Sequence, residues 1–170
     1  MTTANSTPAS RQVGKMTLTL KSDLEIELTR IFNAPRRLVF EAHSKCEHVR
    51  RWWGGPDSAM TTCQMDFRPG GVWRYVVRKP TGQEYGFGGE FREIVPPERF
   101  VWTFGFDGMP GQPGEEVYLF EEHDGKTTLR SSAKFQSVQQ RDAVIASGME
   151  KGAAAMWDRL EEFLPTLASR

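Results

Sequence analysis

At 170 residues the chain can bury one substantial core but not two, so a single domain is expected. Its 22 Lys and Arg balance 22 Asp and Glu, and no basic stripe breaks that balance. Nucleic acid is therefore excluded as the main partner, because phosphate binding leans on a basic face. No apolar run is long enough for a transmembrane helix and no secretory signal is recognisable, which excludes a membrane-spanning protein and makes the cytoplasm the expected location.

Eleven Phe, five Trp and three Tyr are a generous aromatic supply, suited to filling a core, lining an apolar pocket, or both. Cys46 and Cys63 lack a CxxC spacing, and without an export signal they read as free thiols in a reducing compartment. Met1 to Lys15, rich in Ser, Thr and Ala and without an acidic residue, reads as a disordered tail. Residues 16–167 remain as the domain.

Thr17–Leu20 and Glu25–Phe32 alternate as strands. Pro35 opens a helix with an apolar stripe at Leu38, Val39 and Ala42, running to Ser44. Ser44 is expected to cap a second short helix, in which Cys46, Val49 and Trp52 recur at helical spacing. That helix ends in Arg51-Trp52-Trp53-Gly54-Gly55-Pro56, where two large apolar side chains stand directly before helix-stopping residues. Such a pair is expected to close one end of a core or a cavity.

From Thr61 to Phe135 the period changes to two. Strands are predicted over Thr62–Phe67, Val72–Lys79, Glu84–Val95, Arg99–Phe106, Glu116–Glu122 and Lys126–Phe135. Short turns such as Asp124-Gly125 join them into an antiparallel meander, with Asp107–Gly114 as a longer loop. The segment from Val138 to Leu164, with Ser137 as its cap and Pro165 as its stop, reads as one helix about 40 Å long. Its expected inner face holds Ile145, Met149, Gly152 or Ala153, Met156, Leu160 and Phe163 or Leu164.

The pattern predicts an α+β fold: a curved antiparallel sheet of about six or seven strands wrapped on a long C-terminal helix, with two short helices after the first strands. Alternation places Trp73, Tyr75, Phe87, Phe91, Trp102 and Phe104 on the inner face of the sheet, and Arg74, Glu90, Arg92 and Arg130 on the other. An inverted middle section would instead bring Arg74 and Glu90 inside as a polar pair.

The same residues carry a resemblance. Ile26-Glu27-Leu28-Thr29-Arg30-Ile31-Phe32-Asn33-Ala34-Pro35, Arg51-Trp52-Trp53-Gly54, Asp66-Phe67-Arg68-Pro69-Gly70-Gly71, Gly88-Gly89-Glu90-Phe91-Arg92, Pro96-Pro97-Glu98-Arg99-Phe100-Val101-Trp102 and Met156-Trp157-Asp158-Arg159-Leu160 stand in the order found in one family. Over about residues 17–165 the chain resembles the helix-grip (START-like, SRPBCC) superfamily. Within it, the chain looks like the homologues of the activator of heat-shock-protein ATPase. The resemblance implies a hydrophobic cavity between sheet and C-terminal helix, of the kind that holds lipids, polyketides or other apolar molecules. It also implies, as a rival, an interaction module for a chaperone ATPase of the stress response.

Metal chemistry finds no footing: His43, His48 and His123 form no converging set, although His43 and Cys46 could share a helix face. No nucleophile elbow occurs, and Gly86-Phe87-Gly88-Gly89 reads as a sheet bend or bulge. Glu90 is either a solvent-facing carboxylate or, if it faces inward, a group raised by burial and fit for proton transfer in a cyclase- or aromatase-type enzyme. His43 is a second candidate if its helix turns it to the cavity mouth.

The expected function is therefore binding of a small hydrophobic ligand, with no catalytic residue, metal or cofactor assigned. The predicted lining is Trp52, Trp53, Trp73, Tyr75, Phe87, Glu90, Phe91, Trp102, Phe104, Met149, Gly152 and Met156. The assembly is expected to be a monomer or a weak homodimer.

Overall fold

Nine strands and four helices organise residues 9–109 and 114–169, the parts of the chain described by the computed structural model. In chain order they are β1 (Ala9–Val13), β2 (Met16–Ser22), β3 (Glu25–Phe32), α1 (Arg36–Ser44), α2 (Cys46–Trp52), β4 (Ala59–Met65), β5 (Val72–Arg78), β6 (Glu84–Val95), β7 (Arg99–Phe106), β8 (Gly114–His123), β9 (Lys126–Lys134), α3 (Val138–Ala146) and α4 (Met149–Ala168). The strands form one sheet in the order β1-β2-β3-β9-β8-β7-β6-β5-β4, every neighbour antiparallel. The α1–α2 pair carries the chain from the middle of the sheet to its far edge, and α4 packs against both helices and β1.

The alternation read from sequence holds. Trp73, Tyr75, Phe91, Phe100, Trp102, Phe120 and Leu129 are buried on one face, while Arg74 and Asp107 form an exposed two-pronged pair on the other. Against the inner face α4 buries Trp157, Leu160, Phe163, Leu164 and Leu167. Arg30 on β3 fastens this helix, donating from a buried guanidinium to Asp158 and to Glu161, each at 2.6 Å.

The sheet has more strands than the predicted six or seven, partly because the presumed tail contributes one. Residues 9–13 form β1, which pairs with β2 around Gly14, and Arg11 of β1 reaches Glu150 on α4. Residues 1–8 of that tail lie outside the described residues, as do 110–113 of the long loop.

The C-terminal helix is two helices. Gly148 takes a left-handed conformation (φ +79°) that a β-carbon disfavours, and the axis breaks there. Ser137 does cap α3, accepting from the Gln140 amide. Pro165 does not stop α4, which continues one more turn to bury Leu167 and ends at Ala168. Leu160, Phe163 and Leu164 are buried as expected, but Ala154 and Trp157 take the inner position in the earlier turns, with Met149, Ala153 and Met156 on the flank. Ser44 does not cap α2 either. Its hydroxyl donates back to Glu41 O, and Lys45 takes the cap position.

The cysteines are not free thiols. Cys46 at the start of α2 and Cys63 on β4 form a disulfide that closes 17 residues and staples the second helix to the edge strand. A cross-link of that length restricts the unfolded chain by an amount worth about 3 kcal/mol. Disulfides persist in oxidising surroundings, so the cysteine argument for a reducing compartment falls away. No described helix is long and apolar enough to cross a membrane.

The Gly88-Gly89 pair keeps β6 in register with β5, while pairing with β7 lapses at Gly89 and Glu90 and shifts by one residue between Phe91 and Glu93. Its reason is a close approach. A β-carbon on Gly89 would stand 1.9 Å from Thr103 O, the carbonyl that accepts the Trp73 indole N–H at 3.1 Å. Gly89→Ala is therefore expected to force β6 and β7 apart and cost several kcal/mol, about 3 or more by analogy with overpacked cores. Chemical denaturation of the variant checks this, and a loss under about 1 kcal/mol would contradict the close approach.

Candidate ligand site in the aromatic interior

The inner face of the sheet carries a continuous aromatic network. Trp73 and Trp102 stack with centroids 4.1 Å apart, Phe100 stacks on Tyr118 at 4.7 Å, and Trp53 packs edge-on against Tyr75 and Phe87. Strand register explains the gathering: Tyr75 faces Phe87, Phe91 faces Trp102, and Phe100 faces Tyr118 across neighbouring strands. The tryptophan pair does close one end, as its position before Gly54 and Gly55 suggests. Trp52 is pinned by its indole N–H to Ala42 O at 3.0 Å, linking α2 to α1.

Among the described residues, the space between sheet and helices includes a void of about 20 Å³ lined by His43, Val49, Trp52, Trp53, Tyr75, Phe100, Trp102, Tyr118, Met156 and Trp157. Of the predicted lining, Trp52, Trp53, Tyr75, Trp102 and Met156 meet at this void. Trp73 and Phe91 are buried in the core, and Phe87, Phe104 and Met149 are half-buried against it; none of the five lines the void.

Two predicted site residues lie elsewhere. Glu90 stands opposite the exposed Val72, its side chain 41 % accessible beside Arg92, because it alternates with the inward Phe91. The inverted arrangement of Arg74 and Glu90 is thus excluded. Gly152 is exposed, with no atom within 4 Å of where its β-carbon would be, so it forms no part of a roof.

Three polar side chains line the void, His43, Tyr75 and Tyr118, and Glu116 is hydrogen-bonded to two of its walls; of these four, His43 and Tyr75 were named from sequence. His43 on α1 is buried by Trp52, Phe100, Tyr118 and Phe120. Its Nδ1 lies 2.8 Å from Val39 O, while its Nε2 is buried without a partner. Desolvation brings it down to about 4, so the ring is neutral at physiological pH. A carbonyl can only accept, so Nδ1 carries the proton and Nε2 presents a bare lone pair.

Glu116, opposite Trp102 on β8, is the second group. It is only part-buried as a residue, yet its carboxyl lies among aromatic rings. That desolvation pushes it up to about 7, against the stabilising hydrogen bonds from the Trp102 indole and the Tyr118 phenol. These donate to the same oxygen, Oε1, at 2.8 and 3.4 Å. Tyr118 and Tyr75 complete the set, both pushed up by burial and so held as neutral phenols. The sequence carried a signal for Glu116: in Glu116-Val117-Tyr118-Leu119-Phe120, the period of two puts the carboxylate on the same side as the two aromatics.

The family model described as "Activator of Hsp90 ATPase homolog 1-like protein" matches residues 33–165. The chain belongs to this family. No functionally curated protein matches it. Among solved structures, a Rhodobacter sphaeroides protein is similar with a TM-score of 0.84 at 23 % identity, over 90 % of this chain and 99 % of its own. A Mycobacterium smegmatis protein follows the fold at 0.76 and 25 % identity, over 85 % and 92 %. An AHSA1 protein of Silicibacter pomeroyi does so at 0.68 and 20 % identity, over 84 % and 98 %. The architecture of this family member is the helix-grip fold, with a curved sheet closed by its C-terminal helix.

The two inner titratable groups pull stability in opposite directions. Between pH 4.5 and 7 the folded protein keeps a proton on Glu116 that the unfolded chain has released, so stability falls as pH rises through this window. Between pH 6.5 and 4 the unfolded chain protonates His43 while the folded protein does not, so stability falls as pH drops. Glu116→Gln removes only the first effect. At pH 8 the variant is expected to be more stable than the unmodified protein by on the order of 2 kcal/mol, with the gap closing near pH 4. Urea unfolding at the two pH values measures it, and a gap that does not depend on pH would contradict a desolvated Glu116.

Proposed function

We propose that the protein binds one small, mostly apolar molecule between the sheet and α4, with the molecule's polar end at the His43–Tyr75–Tyr118 void. The observation that carries this reading is the unpartnered Nε2 of His43, a buried acceptor facing a small space in an otherwise apolar interior. A buried polar group without a partner is costly, and native interiors keep few of them unless something else supplies the bond.

The void in its present form holds no more than a single small group, so the apolar body of a ligand needs added room. Half-buried side chains of the interior can yield it: Phe87, Phe104, Met149 and Met156 pack against the core without being fully enclosed. Methionine side chains adapt to irregular shapes at little cost.

A second reading has one specific observation in its favour. Glu116, raised to about 7 and hydrogen-bonded by Tyr118, is the kind of interior acid or base that a cyclase- or aromatase-type reaction needs. Binding is common to both readings, and the acid–base step is the addition.

Native mass spectrometry on protein purified from its natural source, followed by denaturation and extraction, tests the proposal. The expected result is a reproducible adduct of a small apolar molecule, released on unfolding. A mass without adduct, together with no uptake from a natural-source lipid and metabolite extract, contradicts it and shifts weight to a partner-binding module of the kind named by the family's description.

A further inference from the structure

We propose that the polar end of the ligand is an uncharged hydroxyl, which donates to His43 Nε2 and accepts from a tyrosine phenol. The inference rests on the reading of the interior as an apolar-ligand site and names the chemistry of what enters it.

His43 Nε2 needs a donor, and no side chain around it supplies one. The indole N–H groups of Trp52 and Trp102 are committed to Ala42 O and Glu116 Oε1, and the Tyr118 phenol is turned to the same Glu116 oxygen. Trp53, Trp157 and Tyr75 also line the void, but none of them makes a hydrogen bond to Nε2. A hydroxyl entering the void would supply the missing hydrogen. An ether or an ester brings only lone pairs and would set acceptor against acceptor.

Charge narrows the class further. A carboxylate would bring a negative charge into an aromatic interior that already holds the Glu116 carboxyl, and among the residues lining the void there is no cationic side chain to receive it. An ammonium brings donors but no acceptor, while the Tyr75 phenol lines the same space and can donate. A hydroxyl satisfies both kinds of partner. Size agrees, since about 20 Å³ admits one oxygen-sized group and not a branched acid.

The probe series is 1-octanol, methyl octyl ether, octanoate and octylamine at neutral pH, with the unmodified protein and with His43→Phe. Octyl chains are transparent where tryptophan emits, and Trp52, Trp53, Trp102 and Trp157 all border the void, so intrinsic fluorescence reports occupancy. His43→Phe keeps the ring that packs on Trp52, Phe100 and Phe120 but removes the Nε2 lone pair.

Octanol is expected to bind at least about tenfold more tightly than each of the other three, a preference within the range of one buried hydrogen bond. In His43→Phe its advantage over the ether is expected to vanish while ether affinity stays unchanged. The inference is overturned if the ether, octanoate or octylamine binds as tightly as octanol, or if octanol keeps its advantage in the variant. Should His43→Phe fail to fold, the series on the unmodified protein decides alone. If no member of the series binds, the apolar-ligand reading itself fails and the hydroxyl assignment falls with it.

Discussion

The indole of Trp102 makes contacts in two directions, and the interior is arranged around both. Its face stacks on Trp73 at 4.1 Å, joining β5 to β7, and its N–H reaches Glu116 at 2.8 Å, joining β7 to β8. Stacking alone would hold any two rings. The hydrogen bond is directional and places a carboxyl inside an aromatic layer, where desolvation drives it to about 7. Gly89 is part of the same constraint, because only a residue without a β-carbon lets the Thr103 carbonyl come close enough to hold Trp73 under Trp102.

A polar centre in an apolar interior is costly if the fold alone is considered. Leucines and phenylalanines of equal volume would pack the same space without orphaned lone pairs or a strained protonation state. Structures that keep such groups tend to use them, and perturbed ionisable side chains are enriched at functional sites. The rest of the molecule supports that use. The Cys46–Cys63 disulfide and the Arg30 ion pairs hold α2 and α4 to the sheet, so the Trp52, Trp53 and Trp157 walls are fixed from two sides. The break at Gly148 divides α3 from α4, and of these two helices it is α4 that carries the buried face.

Much of the architecture was legible in sequence, since period-two alternation and turn residues act locally. Strands β3 and β5–β9 and helices α1 and α2 fall within a residue or two of their expected bounds, and the tryptophan pair closes one end of the core. What was not legible depended on partners distant in the chain. Cys46 and Cys63 carry no motif, and only the packing of α2 on β4 brings them together. The segment 9–13 has no apolar pattern, and its order comes from pairing with β2 and from Arg11 meeting Glu150. Gly148 lies within the unbroken helical pattern of 138–164, and it is its backbone conformation that divides the helix.

The candidate site was half legible for the same reason. Trp52, Trp53, Tyr75, Trp102 and Met156 are large apolar residues at alternating or helical spacing, and such residues go inside. Glu90 attracted attention for its small neighbours, yet its parity on β6 sends it to solvent, while Glu116 on β8 has the parity that sends it inward. A carboxylate's side of a strand is decided by register, and residue type alone misleads. The most direct test of the central claim is ¹⁵N NMR of the His43 ring at neutral pH, without and with saturating 1-octanol. The account predicts a neutral ring protonated at Nδ1, with an Nε2 resonance that moves when the alcohol binds. A charged ring, or an Nε2 resonance unmoved by bound alcohol, would contradict it.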